Sequence, residues 1–154
     1  LIVMRKRSGG RNWVRIDDEP PTFSGECGEH IVRGFAAWDF LTGLDDVSGM
    51  LGARFRLAPD CLATMDLEPG GDAWTPLGAR LRLASGMGYQ GGTDMDTFRV
   101  LPRFDGRHTL REVADELARL LGRDSQSVAE AMVPVVHIML ERGLLLAPEP
   151  VPGP

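Results

Sequence analysis

Residues 93–147 read TDMDTFRVLPRFDGRHTLREVADELARLLGRDSQSVAEAMVPVVHIMLERGLLLA, and the punctuation of this stretch decides the fold. Asp105-Gly106 breaks a first helical segment. Thr109 opens a second, and Glu112 falls at the spacing of a capping box, in which each side chain satisfies the other residue's orphan backbone donor. Leu110, Val113, Ala114, Leu117, Leu120 and Leu121 recur at helical spacing, while Arg111, Glu112, Asp115, Glu116 and Arg119 occupy the opposite face. Gly122 is placed to end this helix in a left-handed cap, and Asp124 or Ser125 starts a third. The apolar members of the third are Val128, Met132, Val135, Val136, Met139 and Leu140. Pro134 inside it predicts a kink, because the ring removes one ladder bond at a cost of about 3 kcal/mol. Gly143 stops the helix, and Leu144-Leu145-Leu146 is short enough for a buried strand.

Helices closed by a short apolar strand predict an α+β fold, a winged-helix-like three-helix unit with short antiparallel strands. Working outward, Arg54-Phe55-Arg56-Leu57 and Ala79-Arg80-Leu81-Arg82-Leu83 alternate like strands. Glu68-Pro69-Gly70-Gly71-Asp72 and the run from Gly86 to Gly92 carry turn chemistry. A packing helix is expected from about Glu26 to Thr42, with Ile31, Phe35, Trp38, Phe40 and Leu41 as its apolar surface, weakened at Gly34 and ended at Gly43. LIVMRKR (1–7) and NWVRID (12–17) read as a β-hairpin turned by Gly9-Gly10, which needs a sheet to join because a lone hairpin is marginal in water. An apolar strand beginning at Leu1 leads us to expect the tail of something longer. The expected organisation is a hairpin over 1–22, a helical connector over 23–52, a winged-helix-like domain over 53–148 and a disordered proline-rich tail over 149–154.

A chain of 154 residues, 43% of them hydrophobic, can build a core. Its net charge of -5 argues against a strongly basic nucleic-acid binder, because affinity for the phosphate backbone needs clustered Lys and Arg. In a helix-turn-helix protein the third helix would read bases, and here it carries Gln126, Glu130 and Glu141 with only Arg123 and Arg142 to help. No signal peptide is visible and the apolar runs are too short to cross a bilayer, so a reducing cytoplasm without disulfides is the expected setting and no membrane the expected partner. Cys27 and Cys61 lack the paired spacing of a zinc site, and His30, His108 and His137 are scattered, so no metal is expected.

No group of residues has the pattern of a catalytic centre. Asp17-Asp18-Glu19, Asp45-Asp46 and Asp115-Glu116 sit in expected turns or on a polar helix face, whereas acid–base chemistry needs carboxylates desolvated in a cleft. Ser24, Cys27 and His30 hold parts of a nucleophile constellation on a segment loosened by Gly25 and Gly28, without an orienting third group. His137 lies among Val136, Ile138 and Met139 and reads as a half-buried histidine rather than a ligand. Gly86-Met87-Gly88-Tyr89-Gln90-Gly91-Gly92 is the one glycine cluster to weigh as a phosphate loop. Asp94 and Asp96 behind it would repel a phosphate while suiting a helix dipole. The candidate recognition surface is Arg99, Arg103, Arg107, His108 and Arg111, which could face phosphates, an acidic peptide or an acidic partner domain. Its competing reading is a solvated rim balanced by Asp105, Glu112 and Asp115.

The succession ARFRLAPD (53–60), LRLASG (81–86), DTFRVLPRFDGRHTLREVADELARLL (96–121) and VVHIMLERGLLL (135–146) resembles the C-terminal region of bacterial class I S-adenosylmethionine-dependent methyltransferases similar to protein-glutamine methyltransferases. The resemblance implies a winged-helix-like extension behind a Rossmann-like catalytic domain, with the first hairpin completing that domain's sheet. It implies S-adenosylmethionine as the cofactor of the parent, although the glycine-rich turn, the ribose-binding acid and the Asn-Pro-Pro-Tyr-like motif are not found here. No catalytic or cofactor-binding residue is therefore expected in this chain. The implied role is non-catalytic: substrate access, recognition, or association with a catalytic domain or subunit. The segment from DGRHTLREVADELA to ERGLLL also resembles small winged-helix chaperones that present leader peptides, which implies a peptide partner added to a sheet edge.

Overall fold

A computed structural model describes Met4, Arg5, Val14 and residues 25–148. In chain order the elements are α1 (Gly28–Thr42), α2 (Val47–Gly52), β1 (Arg56–Leu57), β2 (Cys61–Gly70), β3 (Ala73–Leu83), β4 (Gln90–Thr93) and α3 (Met95–Val100). A 3-10 turn (Leu101–Arg103), α4 (Leu110–Leu121), α5 (Ser125–Glu141) and β5 (Leu145–Leu146) follow. The class is α+β, with two antiparallel sheets of order β1-β5 and β2-β3-β4.

The capping signals act where their chemistry requires. The Thr109 hydroxyl accepts from the Glu112 backbone N–H at 3.3 Å, and the Glu112 carboxylate accepts from the Thr109 N–H at 2.7 Å. Gly122 ends α4 at φ 61°, a left-handed conformation that a Cβ would strain. Asp124 rather than Ser125 caps α5 by accepting from the Ser127 N–H at 2.8 Å. Helix α5 continues through Pro134, which lies on its exposed side. Leu144 and Leu145 are buried, and β5 pairs with β1 in the register Arg56↔Leu146 and Leu57↔Leu145.

The core gathers Phe55, Val100, Phe104, Leu110, Val113, Leu117, Val136, Leu140 and Leu145 with Leu81 and Leu83 of β3. Ala37 of α1 and Met50 and Leu51 of α2 belong to the same buried cluster, so the helical connector packs into the three-helix unit. Phe40 meets Phe55 edge-on with ring centroids 5.5 Å apart.

Several expectations shift. The β2–β3 hairpin is far longer than the alternation at Ala79–Leu83 suggested, and only Gly71-Asp72 remain between its strands. Gln90–Gly92, expected as turn or loop, fall within β4 (Gln90–Thr93) because Gly91 and Gly92 pair with Leu81 and Arg80. Asp46 caps an unforeseen helix, α2, by accepting from the Gly49 N–H. Leu120 and Leu121, assigned to the apolar stripe of α4, are exposed at 48% and 38%. The expected 1–22 hairpin and the 149–154 tail lie outside the described residues, apart from Met4, Arg5 and Val14. The Arg5 guanidinium reaches the Asp39 carboxylate on α1 at 2.6 Å and lies over the Phe35 ring.

Candidate functional site

The expected basic surface is largely engaged within the molecule. Arg99 pairs with Asp96 at 2.8 Å, and Arg103 with Glu116 at 2.8 Å. Arg111 donates to the Gln126 side chain at 2.9 Å, tying α4 to the first turn of α5. Arg107 and His108 are gathered by Asp105, whose carboxylate accepts from both backbone N–H groups at 2.8 and 3.2 Å and lies 3.1 Å from His108 Nδ1. The Arg107 N–H, followed by the His108 contacts, holds the Asp105 carboxyl below its ordinary 3.8, at about 2. Asp105 thus builds the turn before α4.

Asp46 and Glu112 are occupied by capping. The Ser48 hydroxyl and the Gly49 N–H lower the Asp46 carboxyl, and the Thr109 N–H and hydroxyl lower that of Glu112. Asp115 accepts from the Ser125 hydroxyl, and Glu116 holds Arg103. Asp17-Asp18-Glu19 and Ser24 lie outside the described residues. Among the described residues no three His, Cys, Asp or Glu side chains come together as metal ligands. No described helix is long and apolar enough to cross a membrane.

Cys27 stands at the start of α1 and Cys61 at the start of β2, both as free thiols. Burial pushes the Cys61 thiol up, away from thiolate chemistry. His30 is 6% exposed, its ring 5.3 Å from that of Tyr89. Gly86 at φ 92° and Gly143 at φ 71° let two backbone turns close onto that ring. A Cβ on Gly86 would stand 3.1 Å from His30 Cβ. The glycine cluster therefore makes a turn between β3 and β4 packed on a histidine. His137 has its side chain 46% exposed, with Nδ1 3.7 Å from Glu141.

The feature that the sequence reading missed is the β2–β3 ribbon. Its register pairs Cys61 with Leu83, Ala63 with Leu81 and Met65 with Ala79, and these residues share the face turned to the core. Past a bulge at Asp66/Leu67 the same face continues as Leu67 opposite Pro76 and Pro69 opposite Trp74. There the core has ended: Met65, Leu67 and Trp74 are 42%, 46% and 66% exposed. Beside the ribbon's base a groove of about 220 Å³ opens between β2 and the α3 segment, lined by Leu57, Cys61, Ala63, Leu81, Phe98 and Pro102. That volume is below the usual range for a small-molecule pocket, so it suits a side chain. The signal was present as the period-two run Ala63, Met65, Leu67 against Leu62, Thr64, Asp66.

None of the curated proteins matches this chain. The family described as "Domain of unknown function (DUF7782)" matches residues 33–147, from within α1 through β5, and the chain belongs to that family.

Proposed function

We propose that this chain is a non-catalytic association module, the C-terminal portion of an S-adenosylmethionine-dependent methyltransferase. The observation that carries the association role is the core-side face of the β2–β3 ribbon, which stays apolar through Met65, Leu67 and Trp74 after leaving the core. A contiguous exposed apolar surface of this kind suits contact with another protein surface. The methyltransferase assignment rests on the resemblance of residues 53–60, 81–86, 96–121 and 135–146. On this reading the catalytic domain, in the same protein or a partner chain, binds the cofactor, while this module shapes access for a peptide or protein substrate or holds the assembly together.

The test titrates this chain first with S-adenosylmethionine and then with the methyltransferase unit encoded beside it. The expected outcome is no heat with the cofactor, and binding to the catalytic unit that Trp74→Ser weakens by about tenfold, near 1.4 kcal/mol. Micromolar cofactor binding by the chain alone, or a neighbouring unit that ignores the chain, overturns the reading. A second reading, a leader-peptide-binding module, is favoured by one observation: among the described residues β2 has a strand neighbour on one side only. Capture of an extended peptide at that edge without any methyltransferase partner supports it.

A further inference from the structure

The turn before α4 gathers arginines that have no acid of their own. Phe55 is fully buried, so Arg54 and Arg56 on either side of it point the other way, to solvent. Arg54 Nε donates to the Arg107 carbonyl at 2.9 Å, and Arg56 is bridged antiparallel to Asp105. A Cβ on Gly106 would stand 3.9 Å from Arg56 Cβ, so Arg54, Arg56 and the exposed Arg107 border one turn. None of these guanidinium groups is ion-paired among the described residues. The acids beside them are spent on the backbone: Asp105 accepts from the Arg107 and His108 N–H groups, and Glu112 from the Thr109 N–H and hydroxyl. The Thr109 bonds lower the Glu112 carboxyl most, and the charges of His108 and Arg54 lower it further, so the positive field of this face extends over its own acids.

We infer that this face, formed by Arg54, Arg56 and Arg107, docks an acidic segment of a partner protein. Alternate residues of a strand stand about 7 Å apart, so Arg54 and Arg56 present their guanidinium forks at that spacing, each able to take one carboxylate in a bidentate pair. Separate carboxylates along one chain meet this spacing, whereas a lone phosphate needs donors that converge on it. The net charge of -5 disfavours a nucleic acid, whose affinity needs many basic contacts at once, more than a short segment with a few carboxylates. Arg54 is already held by the Arg107 carbonyl, so less side-chain freedom is lost on docking. Cations crowded on one turn repel each other, and carboxylates between them relieve that repulsion. Of the recognition surface expected from the sequence, the structure keeps Arg107 free of an ion pair and joins to it Arg54 and Arg56, while Arg99 and Arg103 are taken up by Asp96 and Glu116. The face lies on other elements than the β2–β3 ribbon, and the inference does not rest on methyl transfer.

The probe is a capped octapeptide alternating Glu with Thr, titrated into the whole chain and followed through the chain's backbone amide NMR signals. Saturable shifts are expected at residues 54–57 and 105–108. They are expected to be absent when Gln replaces Glu in the peptide, and to be lost at about 1 M salt, where the Debye length falls to about 3 Å. Arg56→Glu with Arg107→Glu is expected to weaken binding by at least about tenfold, because like charges then face each other, and to leave the urea midpoint unchanged. Arg56→Gln with Arg107→Gln, which removes the charges without reversing them, is expected to weaken it severalfold. Arg119→Glu, a charge reversal elsewhere on α4, is expected to stay within about twofold of wild type. No saturable shift at about millimolar peptide overturns the proposal, as does equal weakening by Arg119→Glu. So does tighter binding of a single-stranded DNA octamer at the same amides, or equal binding of inorganic phosphate, since either assigns the face to phosphate. A chain that takes the acidic peptide and ignores the methyltransferase unit leaves this inference standing, and the reverse result leaves only the methyltransferase reading.

Discussion

Asp105 is the residue whose chemistry is most sharply set by its surroundings. Its carboxylate replaces water for two backbone donors in the turn before α4, and the charged form is favoured because only it accepts at every contact. A carboxyl depressed from 3.8 to about 2 contributes stability that is fully present above pH 4 and is lost as the pH falls through 2. Asp105→Asn is therefore expected to flatten the decline of the urea midpoint between pH 4 and pH 2, and an unaltered acid profile would show that the turn does not depend on the charge. The turn was legible as Asp-Gly in the sequence. That the Asp105 carboxylate takes the Arg107 and His108 backbone N–H groups and the His108 ring was not, because a residue string does not say which way a side chain turns.

At the scale of elements, α4 is local in origin and the glycine turn between β3 and β4 is not. Helix α4 carries its cap, its apolar stripe and its stop within consecutive residues, so it was readable to within one position at each end. Gly86 is held by a partner distant in sequence: its positive φ strains any side chain, and a Cβ there would crowd His30 on α1 at 3.1 Å. Gly86→Ala is expected to cost about 1–3 kcal/mol in urea denaturation, a penalty for backbone strain at a left-handed position. A cost below about 0.5 kcal/mol would mean that the turn relaxes freely. The long ribbon escaped notice because the alternation of Ala63, Met65 and Leu67 is blurred by the apolar Leu62 on the other face and gives way to Pro69-Gly70-Gly71, whose turn chemistry hides how far the strands run.

Across the whole molecule, one core joins the three-helix unit, α1, α2 and the base of the ribbon. Phe55, fully buried and edge-on to Phe40, sits where these parts meet, so Phe55→Ala is expected to destabilise by about 3–5 kcal/mol. Trp74→Ser at the ribbon's tip should stay within about 0.5 kcal/mol of wild type in the same measurement. Equal losses at the two positions would mean that the tip belongs to the core. The difference separates residues that hold the fold from residues that present a surface. Here the ribbon comes before α3, α4 and α5 in the chain.

The sequence by itself determined α4 with its cap and stop, the bodies of α1 and α5 and the α+β class, because those depend on contacts between residues a few positions apart. Tertiary structure alone decided which arginines are engaged, that a buried histidine sits under two glycine turns, and that the apolar face of the ribbon outruns the core. Each of these depends on where distant segments meet, and burial, unlike helix periodicity, is a property of the assembled surface.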